Sequence, residues 1–191
     1  LVVQLPDPSA HDQPVRGLDA GQLREILAVA WGHGLKEARL RRDEQRAAAR
    51  NCGVTDVRFL GYKDGYLEPT HDVQRDIVRV MRQVQPQLVI TQNPERNWER
   101  LPASHPDHMN AGEATVRALY PAVRNPYAYP ELRNDEGLEA WTVSWLWLNT
   151  NLGANHFVDI TDRFARKLAA LHAHASQTSH MDNLEDMIKT W

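Results

Sequence analysis

Two histidines three residues apart, His105 and His108, lie in the stretch SHPDHMNAGEA, where an irregular polar segment turns into a helix. Proline favours the first position of a helix, so Pro106 makes His105 the N-cap and sets His108 in the first turn. That spacing brings the two imidazoles to roughly one side of the helix. One ring could ligate a metal while the other gives or takes a proton beside it. The free N–H groups of a helix start suit an anionic hydroxide or a tetrahedral oxyanion better than a bare cation. A His-x-x-His pair is weak evidence by itself, because two histidines at a helix start are commonly only exposed caps. Its context is more specific. The motif follows the compact apolar run LVIT (88–91) and closes a long polar loop containing Asn93, Arg96 and Asn97. Long loops at such a position commonly carry function.

The elements around the motif must place it. LVIT reads as a strand buried on both faces. Val57 to Leu60 reads as another strand, followed by the turn GYKDG. Thr70 caps an expected helix over 71–85, with Val73, Ile77, Val80, Met81 and Val84 on one face and Pro86 beyond its end. Further helices are expected over 37–51, 106–120 and 162–175, the last capped by Asp162, and further strands over 143–148 and 157–160. Trp145 and Trp147 alternate with Leu146 and Leu148, so one of the two pairs is expected in the core. Leu23, Ile26, Leu27 and Ala30 fall at helical spacing, which predicts a helix from Gln22 to Trp31. Residues 1–20 hold three prolines and no sustained periodicity, and read as loop.

Alternating strands and helices predict a layered α/β fold with a largely parallel sheet, in which 57–60 and 88–91 pair in parallel. In such folds ligands bind beyond the carboxyl ends of the strands. The loops after VRFL and after LVIT both lie there, so Asp64 of GYKDG is expected to share a cleft with His105 and His108.

Composition narrows the function classes. The 191 residues suggest one domain, and 42% hydrophobic with 25% charged residues describes an ordinary globular chain. A formal net charge of -3 argues against a nucleic-acid or anionic-membrane partner. Cys52 is the only cysteine, which rules out an intrachain disulfide and a thiolate zinc knot and makes the cytoplasm the expected compartment. No apolar run approaches the roughly 18 residues of a membrane span. No GxGxxG or GxxxxGK[ST] string supports a nucleotide-binding reading.

Four segments carry a resemblance: RRDEQRAAARNCGVTDVRFLGYKDGYLEP, QPQLVITQNPERNW, SHPDHMNAGEA and HFVDITDRFARKLAALHAHASQ. In order and spacing, from about Glu37 to Gln177, they resemble the LmbE-like, or PIG-L, family of zinc-dependent N-deacetylases. The resemblance implies a Rossmann-like three-layer α/β fold over 36–191, one zinc ion and removal of an acetyl group from an N-acetylated amino sugar. It makes His108 a zinc ligand and His105 the group that polarises or protonates in the tetrahedral step. It matches Asp64 and Arg41 to substrate-binding positions, although each also reads as a plain structural residue, a turn aspartate and a solvated helix-face arginine. Asp107 reads as a residue that favours the helix N-terminus or bonds to a neighbouring loop. His172 and His174 read as surface residues, and Asp159 as structural.

The family's other half-site, an N-terminal strand ending in an HPDD-type motif, has no counterpart. The nearest strings are SAHDQP, with His11 and Asp12, and WGHGL, with His33, and neither has paired aspartates. Residues 1–35 are therefore expected to be an atypical segment, with the N-terminal strand–helix unit missing or altered. Zinc occupancy and activity are expected to be impaired, as in a truncated or frame-shifted gene. A diverged, inactive homologue that binds a sugar or a protein partner is the competing expectation.

Overall fold

The computed structural model describes residues 2–4, 23–30, 35–149 and 153–190. In chain order the main elements are strands β1 (Val2–Gln4) and β2 (Leu23–Ala30), helix α1 (Leu35–Asn51), strand β3 (Asp56–Tyr62), helix α2 (His71–Val84) and strand β4 (Leu88–Gln92). Then come helices α3 (Pro106–Arg117) and α4 (Pro130–Asn134), strand β5 (Trp145–Asn149), and helices α5 (Phe164–His172), α6 (Ala175–Thr178) and α7 (Leu184–Lys189).

The sheet order is β3-β2-β1-β4-β5. β3 runs parallel to β2, and β5 parallel to β4. β1 lies between β2 and β4 and is antiparallel to both. β2, β3, β4 and β5 therefore share one direction, and the loops after β3 and β4 emerge at the same edge. Segments 57–60 and 88–91 are co-directional, but the expected direct pairing is not met, because β2 and β1 intervene.

The expected helix over 22–31 is also corrected, since Leu23–Ala30 is a strand paired on both edges. A short apolar run fits a helix face and a central strand about equally well, and periodicity alone does not separate them. With α1 it forms a β2–α1–β3 crossover, so part of the segment expected to be irregular is a working strand of the sheet.

Helices cover both faces. Val89 of β4 joins the core of Val73, Ile77 and Met81 from α2 with Ala114 from α3, and Leu146 packs against that cluster. Ile90 and Trp147, next in register, turn the other way. They line a cavity of about 520 Å³ with Ala48 and Ala49 of α1 and Leu171 of α5. The sheet is thus the middle of three layers. The expected alternating pair in β5 is not found: Leu146 and Trp147 are the half-buried side chains, and Trp145 and Leu148 are exposed.

Helix α2 matches its sequence signals. The Thr70 hydroxyl accepts from the Val73 N–H, and Arg82, 2% exposed, points inward. Its guanidinium donates to the backbone carbonyls of Ala122, Val123, Asn125, Ala128 and Leu138, and so pins the segment that follows α3.

Two C-terminal expectations change. Residues 157–160 form no strand. Phe157 is exposed, and Asp159 Oδ1 accepts from the Thr161 N–H at 2.9 Å and hydroxyl at 2.6 Å, closing a turn in place of a ladder. The helix over 162–175 is divided into a 3-10 turn (Thr161–Arg163), α5 and α6, and Asp162 lies inside the turn and not at a cap.

Candidate functional site

Gly112 sets the position of α3. A Cβ there would run into the Gln92 carbonyl oxygen, so only glycine lets the helix lie directly on the carboxyl end of β4. The start of α3 is thereby held at the sheet edge where α/β folds bind ligands.

His105 is the N-cap, as its sequence predicts. Its Nδ1 accepts from the Asp107 N–H at 3.2 Å. With Nδ1 used as acceptor, the neutral ring carries its proton on Nε2. The His105 and His108 rings lie 5.1 Å apart between centroids, inclined at 42°. Burial pushes the His108 pKa below its ordinary value, and the neighbouring His105 adds to this; Asp107 and Asp64 oppose it. His108 thus keeps a lone pair for a metal or a proton at neutral pH.

Three hydrogen bonds gather two loops onto this turn. The Gly65 N–H donates to Asp107 Oδ2 at 2.6 Å. Asn110 Nδ2 donates to the Leu67 carbonyl at 2.7 Å. The Asn97 N–H donates to the hydroxyl of Ser104, the residue before His105, at 2.7 Å. Asp107 is 5% exposed, so this acceptor works away from water. The loop of Asp64 is thus tied to the helix of the two histidines, and the Asp64 charge acts on His108.

Arg41 is placed differently. Its charge acts on Glu44 and on His174, and it is not among the charges acting on His108. Glu44 is buried and accepts from both the N–H and the hydroxyl of Ser176, each at 2.7 Å, which joins α1 to α6. His174 is half-buried at this junction, whereas His172 is exposed.

Sequence reasoning singled out both histidines and Asp64, and the structure brings their segments together. It left Asp107 between two readings, and the bond to Gly65 shows that it ties the neighbouring loop. It named Asn97 only as part of the polar loop, and it missed Ser104 and Asn110. These are ordinary loop and helix residues: Asn97 bonds Ser104 within one loop and Asn110 reaches back 43 positions to Leu67, and no local pattern marks either bond.

A catalytic zinc takes about three protein ligands. Among the described residues no three His, Cys, Asp or Glu side chains cluster to hold a metal. His108 and its neighbours do not by themselves make a zinc site. His11, Asp12 and His33 lie outside the described residues.

Two imidazoles and a carboxylate lie toward the carboxyl edge of a mostly parallel, helix-covered sheet, the architecture of an α/β protein. The chain belongs to the PIG-L family, whose model, described as GlcNAc-PI de-N-acetylase, matches residues 15–119. It is 29% identical over 163 residues to the diacetylchitobiose deacetylase of Thermococcus kodakarensis, covering 84% of this chain and 55% of that protein. It is 33% identical over 154 residues to a probable N-acetyl-alpha-D-glucosaminyl L-malate deacetylase 2 of Bacillus cereus, covering 77% of this chain and 60% of that one. Among solved structures, the N,N'-diacetylchitobiose deacetylase from Pyrococcus horikoshii, complexed with its inhibitor MPG, superposes with a TM-score of 0.72 at 28% identity. That match covers 82% of this chain and 60% of the other. The chain thus spans between about half and three-fifths of these relatives' length. Among the described residues no helix is long and apolar enough to cross a membrane.

Proposed function

We propose that the chain carries part or all of the machinery for hydrolysing the N-acetyl group of an amino sugar or a related small molecule. The observation that carries this reading is the Asp107–Gly65 bond, which holds the Asp64 loop against the helix turn bearing His105 and His108. The names of the relatives add the substrate class: each is a deacetylase of an N-acetylated sugar compound.

The chemistry assigned is that of the chain's own groups. His105 Nε2–H donates to the acetamide oxygen and stabilises the negative charge that develops on it. Asp64 accepts from a sugar hydroxyl. His108 is the one zinc ligand that the described residues supply, and zinc dependence rests on ligands beyond them.

The absence of a three-donor cluster among the described residues favours a second reading, a homologue that binds the sugar without turning it over. Measuring acetate and free amine released from N-acetylglucosamine compounds by the chain and by His105→Ala separates the two. The hydrolase reading expects release that falls about 10²–10⁴-fold in the variant, the usual contribution of a catalytic group of this kind. No release by the unaltered chain, with sugar binding retained, would establish the second.

A further inference from the structure

We propose that Tyr66 and Trp98 are two aromatic walls on which a pyranose ring stacks beside the histidine pair. This makes them specificity-determining residues for cyclic sugars over open-chain acetamides, and it rests on the amino-sugar reading above. Each aromatic lies one residue from a bond that fastens its loop to the beginning of α3. Tyr66 follows Gly65, whose N–H donates to Asp107. Trp98 follows Asn97, whose N–H donates to Ser104. Successive Cα atoms are about 3.8 Å apart, so neither ring can stand far from the turn that carries His105.

Both rings are open to solvent, Tyr66 at 67% and Trp98 at 80% exposure. A single exposed aromatic is unremarkable. Two on separate loops, fastened to one helix turn from different strands of the sheet, are harder to assign to chance. Each is also held by a cation on its own loop. Lys63 Nζ lies 4.0 Å from the centre of the Tyr66 ring, and the Arg96 guanidinium 5.6 Å from that of Trp98. The cation occupies one face and restrains the ring, which leaves the opposite face for a ligand. The electron-rich face of an aromatic ring attracts the weakly positive C–H groups of a pyranose, while the sugar's hydroxyls remain free for polar partners such as Asp64.

The test uses the full 191-residue chain and reads binding, not turnover. Saturation-transfer NMR and calorimetry would compare N-acetylglucosamine, N,N'-diacetylchitobiose and the open-chain N-acetylethanolamine. The probes are applied to the unaltered chain and to Trp98→Ala, Tyr66→Ala, Trp98→Phe and Tyr66→Phe. Each alanine variant should weaken sugar binding about 3- to 10-fold, as expected for one aromatic contact, and leave N-acetylethanolamine unchanged. The phenylalanine variants should retain most of the affinity, and circular dichroism should show the same fold throughout. Sugar affinity unchanged by either alanine substitution, equal losses for the open-chain amide, or no sugar binding by the unaltered chain would overturn the proposal. If the rings bind sugar but no acetate is ever released, the stacking sites stand and the hydrolase reading fails. If acetate is released and the alanine variants bind normally, the reverse holds.

Discussion

The carboxylate of Asp107 accepts the Gly65 N–H at 2.6 Å across 42 residues of sequence, and this bond joins the loop after β3 to the helix after β4. It brings the Asp64 charge to bear on His108. Asp107→Ala should release that loop. A hydrogen bond to a charged acceptor contributes about 1.5–3 kcal/mol. Thermal unfolding should show a loss of that order, and sugar binding should weaken more than for an exposed control such as Glu99→Ala. Unchanged values for both would mean that the loop is held by Asn110 alone.

Gly112 keeps α3 on β4. Gly112→Ala places a Cβ against the Gln92 carbonyl, and overpacking of this kind costs about 1–3 kcal/mol. Because the strain falls at the sheet edge, binding should suffer along with stability. A crystal structure of the variant should show the first turn of α3 displaced from β4, and a helix in its original place would contradict the expectation.

Arg82 is a buried cation whose partners are all backbone carbonyls. Arg82→Met keeps much of the bulk but takes the donor from the Ala128 and Leu138 carbonyls, while those of Ala122, Val123 and Asn125 still accept the N–H groups of Asn125, Trp141 and Ala128. Each unsatisfied group costs about 1–3 kcal/mol, so a total of about 3 kcal/mol is expected for the two part-buried carbonyls. For a chain of this length that lowers the melting temperature by roughly 6–12 °C. A shift within about 2 °C of zero would mean that water replaces the guanidinium.

Glu44 links stability to pH. Burial pushes its pKa up, but the two bonds from Ser176 and the charges of His174 and Arg41 outweigh this and hold it below the ordinary 4.5. A depressed carboxylate stabilises the fold above its unfolded pKa, and that contribution is lost as pH falls through the folded value. Glu44→Gln should therefore destabilise the chain at neutral pH and flatten the loss of stability on acidification below about pH 4.5. Denaturant titrations at several pH values would show this, and parallel curves for the two proteins would refute it.

Zinc content tests the metal half of the site. The described residues offer His108 without a three-donor cluster, so the purified chain should hold substoichiometric zinc and release acetate slowly. Adding an N-terminal segment with an HPDD motif should raise both, and His108→Ala should abolish the gain. Metal analysis and an acetate assay read the outcome. Tightly held stoichiometric zinc in the unaltered chain would show that His11, Asp12 or His33 completes the site.

The sequence by itself determined the elements with strong local signals. Thr70 and the apolar stripe after it specify α2, LVIT specifies β4, and Pro106 after His105 specifies where α3 begins and which histidine caps it. Caps and periodicities act over a few residues, so they are legible without the fold. The same locality misled at Leu23–Ala30. A run that fits a helix face becomes a strand because β1 and β3 supply partners for its backbone. It misled at 157–160 as well, where the Asp159–Thr161 turn takes the place of a ladder. Only the tertiary structure decided that β2 and β1 separate β3 from β4, and that Gly112 seats α3 on Gln92. It alone bonded Asp107 and Asn110 to the Asp64 loop and set Arg41 beside Glu44 and His174. Apart from Arg41 and Glu44, these relationships join residues tens of positions apart, and their energies depend on burial and approach distance, which no local spacing encodes.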